Sequence, residues 1–110
     1  MNQILVVEDE AVIRAALRRL LERHEYRVSE AGSVKESLEK YDMDAFDVII
    51  SDLRLPGAPG TDLIKATSTP VLIMTSYSSI KSAINSMKMG AVDYIAKPFE
   101  HNEIIEAVAK

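Results

Sequence analysis

Short apolar runs alternate with helical spacing along the whole chain. The first run is Gln3–Val7 (QILVV), and the second is the more polar Arg27–Ala31 (RVSEA). The third is Val48, Ile49 and Ile50, which stops at Asp52. The fourth covers 70–74 (PVLIM) and ends on Thr75; the fifth covers 92–96 (VDYIA) and ends on Lys97. Consecutive apolar, often β-branched residues in runs this short predict strands covered on both faces, as in a parallel sheet. RVSEA is polar enough to predict an edge strand. Pro70 suits the first position of its strand, where no ladder donor is needed.

The segments between the runs follow a helical period. Ile13, Ala16, Leu17, Leu20 and Leu21 share one face of a first helix, with Arg14, Arg18 and Glu22 turned out as a solvated face. Ser33, with Glu36 three residues on, reads as a capping box for a helix running to about Asp42. Leu55-Pro56-Gly57 and Pro59-Gly60 mark a loop, and residues 61–66 then leave room for about two turns. Ser78 or Ser79 caps a fourth helix carrying Ile80, Ala83, Ile84 and Met87 at i, i+3, i+4 and i+7. Gly90 stands where a C-cap glycine belongs. Pro98 and Phe99 turn the chain into a last helix from about Glu100. Five strands alternating with five helices predict one α/β domain over residues 1–110, built on a doubly wound five-stranded parallel sheet.

Composition narrows the function classes. The 110 residues suffice for one core. There is no cysteine, which excludes a disulfide framework, a thiolate metal site and a cysteine nucleophile; a reducing, cytoplasmic setting is expected. Residues 1–8 lack a signal-peptide pattern, and no apolar run approaches the roughly 20 residues of a membrane span. The formal charge is −4, from 17 acids against 13 bases, so direct nucleic-acid contact through a basic face is not expected.

Polar residues close four of the five predicted strands: Glu8 and Asp9, Asp52, Thr75 and Lys97. Strand C-termini share one edge of a parallel sheet, which is where open α/β sheets bind ligands. Carboxylates converging there repel one another. Two unit charges about 4 Å apart interact by roughly 4 kcal/mol at an effective dielectric near 20. A cation relieves that repulsion, and an all-oxygen donor set points to a hard ion such as Mg²⁺. With the ammonium of Lys97 and the hydroxyl of Thr75, the set suits a phosphoryl group. Each residue alone has a plainer role. Glu10 fits the charge preference of a helix N-terminus, and a lone strand-end aspartate often caps a turn.

The segments ILVVEDE, DVIISDLRLPG, PVLIMTS and GAVDYIAKPF together resemble the receiver domain of bacterial two-component response regulators, over essentially the whole chain. SDLRLPG with SMKMGAVDYIAKPF is most similar to receivers of sigma-54-dependent transcriptional activators. The resemblance implies a flavodoxin-like sheet in the order 2-1-3-4-5. It implies that Asp52 accepts a phosphoryl group from a phosphohistidine of a sensor histidine kinase. It further implies that Asp9 holds Mg²⁺ directly, Glu8 through water, and the backbone carbonyl of Arg54 completes the shell. Lys97 and Thr75 would contact phosphoryl oxygens, and Tyr94 would be the aromatic that moves inward behind Thr75. Arg54 and Tyr77 would tune the phosphoryl lifetime, here toward a long-lived state. The Lys97–Pro98 bond would be cis. The face of helix 4, strand 5 and helix 5 would switch, with a homodimer as one use of it. An output, expected to be transcriptional, would lie beyond Lys110 or in a separate partner. Kinases of this family dock beside the first helix, which makes Ile13 a candidate contact. The region of the third helix, 61–69, and the last helix are shorter than is usual in the family.

Three rival readings fit the residues less well. An Asp-nucleophile phosphatase would carry its nucleophile after the first strand with a second aspartate two residues on, whereas Asp52 follows the third strand and is trailed by Arg54. A phosphorylation-independent interaction module would not need the full set of acids, Thr75 and Lys97. A flavin module would need a phosphate cradle where Glu8-Asp9-Glu10 stands. His24 and His101 read as surface residues near helix ends.

Overall fold

The computed structural model describes residues 2–75, 80–97 and 100–109, leaving aside the side chains of Ile80 and Ser82. The strands are β1 (Gln3–Val7), β2 (Arg27–Ala31), β3 (Val48–Asp52), β4 (Val71–Thr75) and β5 (Asp93–Ala96). The helices are α1 (Ala11–Arg23), α2 (Val34–Lys40), α3 (Asp62–Ala66), α4 (Ile80–Lys88) and α5 (His101–Ala109). All neighbouring strands pair in parallel, in the order β2-β1-β3-β4-β5. The expected sheet is therefore found, with RVSEA at an edge. The proposed cap at Ser78 or Ser79 and the Lys97–Pro98 bond lie outside the described residues.

Strand side chains alternate between two core layers, because successive residues point to opposite faces. Ile4, Val6, Ile50, Leu72, Met74 and Ile95 pack with Leu17, Leu20 and Leu21 of α1 and Ile104 and Val108 of α5. Leu5, Val7, Ile49, Val71 and Ile73 pack on the other face with Val34, Met43, Phe46, Leu63 and Ala91. Covering both faces is what the unbroken apolar runs required.

Local signals hold at the start of α2 and at the end of α4. Ser33 Oγ accepts the Glu36 N–H at 3.0 Å, and Glu36 Oε1 accepts the Gly32 N–H at 2.8 Å. Gly90 has φ +109; its N–H reaches Met87 O, and the Ala91 N–H reaches Ser86 O, both at 3.1 Å. That is a Schellman C-cap. Helix α2 stops at Lys40 rather than near Asp42. Tyr41 turns extended because its ring packs edge-on against Phe46 and its hydroxyl donates to Glu30 O at 3.0 Å. Asp42 instead caps a short 3₁₀ turn, Met43–Ala45. The α4 spacing identifies the helix but not its buried side: Ile84 and Met87 each remain 47% exposed.

Glu25, just past α1, has φ +68. This left-handed conformation costs an L-residue roughly 1–2 kcal/mol, part of which glycine returns as unfolded-state entropy. Glu25→Gly is expected to raise stability by about 0.5–1 kcal/mol. Thermal unfolding of the two proteins checks this, with an unchanged or lower Tm counting against the strain.

Candidate functional site

Each site residue stands where a strand runs out. Glu8 follows β1, and its N–H bonds Ala31 O at the end of β2 at 3.0 Å. Its side chain is wholly buried, while that of the neighbouring Asp9 is exposed. Asp52 is the last residue of β3 and 6% exposed. Thr75 ends β4 and is buried; its carbonyl accepts the Lys97 N–H at 2.7 Å, which fixes the exit of β5 beside β4. The topology thus brings residues from distant parts of the sequence to one edge.

Lys97 joins two of the acids. Its Nζ lies 2.5 Å from Glu8 Oε1 and 3.0 Å from Asp52 Oδ2. Burial works against the Lys97 charge, but its hydrogen bonds to Glu8 and Asp52 outweigh that and hold its pKa above the ordinary value. Glu8 is pushed up to about 7, first by burial, then by its hydrogen bond with Asp9 and the charge of Asp52; Lys97 pulls the other way. One ammonium thus stands between two of the three carboxylates.

The oxygens of Glu8, Asp9 and Asp52 lie within 4.8 Å of one another. Three carboxylates with neither nitrogen nor sulfur donors suit a hard divalent ion. Such an ion would also offset the mutual repulsion of three clustered acids, so the donor set fits Mg²⁺. Arg54, two residues after Asp52, offers an exposed side chain, and its N–H lies 3.4 Å from Asp52 Oδ1. Tyr94 on β5 is half-buried against the core layer of α2 and α3. Tyr77 lies outside the described residues.

The sequence over residues 4–109 matches the model of the response regulator receiver domain. The chain belongs to that family. This receiver is 36% identical to the response regulator protein FleR of Pseudomonas aeruginosa, over 98% of its own length and 24% of FleR. It thus spans about a quarter of that relative. It superposes with a TM-score of 0.90 on the beryllofluoride-activated NtrC4 receiver domain dimer, at 29% identity over 99% of this chain and 94% of that one. A Burkholderia pseudomallei response regulator, solved with a phosphorylated aspartic acid, calcium ion and citrate, matches with a TM-score of 0.85. The identity is 32%, over 98% of this receiver and 66% of that chain. The family is one of signalling domains, and among the described residues no helix is long and apolar enough to cross a membrane.

Four contacts around the site are absent from the sequence reading. Arg14 and Arg18 do not form a freely solvated face. Arg14 Nε reaches Glu30 Oε1 at 3.2 Å, and Arg18 Nη1 reaches Glu30 Oε2 at 2.5 Å. Arg14 Nη1 also donates to the backbone carbonyl of Glu8 at 2.6 Å. Gly60 comes so close to the end of β3 that an added Cβ would lie 2.0 Å from Asp52 O and 2.4 Å from Ser51 Oγ. The sequence signal for Gly60 was its place in the Pro/Gly loop; for Arg14 it was only a basic residue one turn into α1. Ile13 is half-buried against the core. His24 and His101 are exposed, as expected.

Proposed function

We propose that this receiver takes a phosphoryl group from a phosphohistidine of a sensor histidine kinase onto Asp52, and so switches an output. The observation that carries this reading is the shared grip of Lys97 on Glu8 and Asp52 beside a third carboxylate. An Asp52 carboxylate oxygen forms the new O–P bond while the donor P–N bond breaks, its electron pair passing to the imidazole nitrogen. Glu8, Asp9, Asp52 and the Arg54 carbonyl would hold Mg²⁺, which when bound supplies positive charge against the phosphoryl oxygens. Lys97 keeps one ammonium beside the acceptor before and after transfer. Arg54 and Tyr77, two residues after Asp52 and Thr75 in the sequence, lengthen the life of the acyl phosphate.

The test is incubation with acetyl phosphate, with Mg²⁺ or with EDTA, followed by intact mass and peptide mapping. One labile phosphoryl group on Asp52, formed only with Mg²⁺, is expected. Turnover of many phosphoesters without a stable adduct would favour the phosphatase reading instead.

The switch follows from charge. A phosphoryl group carries about −1.5 to −2 charge units in the comparable serine ester. That charge draws the Thr75 hydroxyl and Lys97 toward it, and Tyr94 follows into the space behind Thr75. The outcome is a population shift at the α4, β5 and α5 face. Ile84, Met87, Met89 and Val92 are all at least 36% exposed there, which suits a second copy docking on it. Thr75→Ala is expected to accept the phosphoryl group while losing most of the amide NMR shift at Tyr94. A shift as large as in the parent would break the proposed coupling.

A further inference from the structure

The Glu8–Asp9 peptide joins two of the candidate metal ligands, and its orientation fixes how their carboxylates are spaced. Glu8 is held at its N–H by Ala31 O at 3.0 Å. At its carbonyl it receives Arg14 Nη1 at 2.6 Å. The same guanidinium spends its Nε on Glu30 Oε1 at 3.2 Å. A planar fork engaged at two N–H positions has little freedom left. Glu30 is anchored in turn: Arg18 takes its other carboxylate oxygen, and the Tyr41 hydroxyl donates to its backbone carbonyl. A continuous set of contacts thus runs from the edge strand through Arg14 to the peptide that precedes the exposed Asp9.

We propose that Arg14 is a positioning residue for the metal-binding acids, acting through the Glu8 carbonyl and not through its charge. The proposal rests on the reading of Glu8, Asp9 and Asp52 as a Mg²⁺ site. Two effects of removing Arg14 oppose each other. Losing a positive charge near an acidic cluster favours binding of a dication. Freeing the Glu8–Asp9 peptide to rotate disfavours it, because the carboxylates must then be ordered on binding. Groups that orient metal ligands from outside typically matter about 10- to 100-fold in affinity. The Arg14 charge is already paired with Glu30 Oε1 at 3.2 Å, so its loss changes the field at the acids by much less. Positioning should therefore win, and the sign of the change separates the two roles.

The experiment is a Mg²⁺ titration of the whole chain followed by the amide NMR shifts of Asp9 and Leu53. The parent is compared with Arg14→Ala, Arg14→Lys and Arg18→Ala. Arg18→Ala removes a charge and a Glu30 partner from the same helix without touching Glu8. Arg14→Ala should weaken Mg²⁺ about tenfold, Arg14→Lys less, and Arg18→Ala hardly at all. Thermal unfolding in EDTA should show Arg14→Ala and Arg18→Ala folded and similarly destabilised. The rate of phosphorylation by acetyl phosphate in Arg14→Ala should recover at saturating Mg²⁺. Equal or tighter Mg²⁺ binding by Arg14→Ala, or equal weakening by Arg18→Ala, overturns the proposal while leaving the site reading intact. A parent that shows no Mg²⁺-dependent shift overturns both.

Discussion

Asp52→Asn is expected to take up no phosphoryl group from acetyl phosphate while remaining folded. Asparagine keeps the shape of the side chain and can still accept a hydrogen bond from Lys97 Nζ, which lies 3.0 Å from Asp52 Oδ2. It lacks the carboxylate oxygen proposed to form the new bond. Two changes in stability nearly cancel. The Lys97 pair with residue 52 weakens, but one negative charge leaves a cluster in which Glu8 is already pushed up to about 7, chiefly by burial and in part by Asp52. Lys97 keeps Glu8 as a partner, so no buried charge is stranded, the event that makes broken ion pairs costly. A net change within about 1 kcal/mol follows. Intact mass and a thermal melt measure the two quantities together. A folded Asp52→Asn protein that still carries a hydroxylamine-sensitive adduct would move the acceptor to another carboxylate.

Gly60→Ala should be among the most damaging single methyl additions in this chain. The new Cβ would sit 2.0 Å from Asp52 O and 2.4 Å from Ser51 Oγ, and the Gly60 N–H also bonds Leu53 O at 2.9 Å. The obstacle is backbone, not the end of a flexible side chain. The loop or the end of β3 must therefore move by an ångström or more. Overpacking of this kind costs about 3 kcal/mol or more, which for a domain of this size lowers Tm by roughly 10–20 °C. Because the obstructing atoms belong to Ser51 and Asp52, phosphorylation should slow even in the fraction that folds. Gly57→Ala is the control: Gly57 has φ +85 but nothing within 4 Å of an added Cβ. It should cost only the conformational strain, about 1–2 kcal/mol. Similar melts for the two variants would mean the loop yields easily, and the close approach would not constrain the acceptor.

Features set by neighbours in sequence were readable without coordinates. Ser33 and Glu36 announce a helix start because a hydroxyl three residues from an N–H can reach it. Gly90 announces an end because few other residues tolerate its φ. The strand-end acids, Thr75 and Lys97 were readable together because a parallel sheet aligns strand C-termini on one edge. Contacts between elements were not. Arg14 looks like any outward arginine on α1 until β2 is laid beside it and Glu30 comes into range. Helix α2 stops early for Tyr41, whose partners Phe46 and Glu30 lie on separate segments. On α4, a periodic apolar face says that one side could be buried, not that something covers it. Gly60 shows the same limit: its spacing from Asp52 suggests a loop, but not that the loop returns to touch its own start.

The bond between Lys97 and Glu8 joins residues 89 positions apart, and that between Lys97 and Asp52 joins residues 45 apart. During synthesis β1 and β3 leave the ribosome long before β5, and the lysine is the last of these groups to arrive. Until then the acids have no ammonium beside them and the sheet lacks one edge. An interrupted translation product ending before residue 97 would carry Asp52 yet lack the lysine that completes its surroundings. On the proposed reading of Asp52, chains that stop before Lys97 are expected to accept no phosphoryl group.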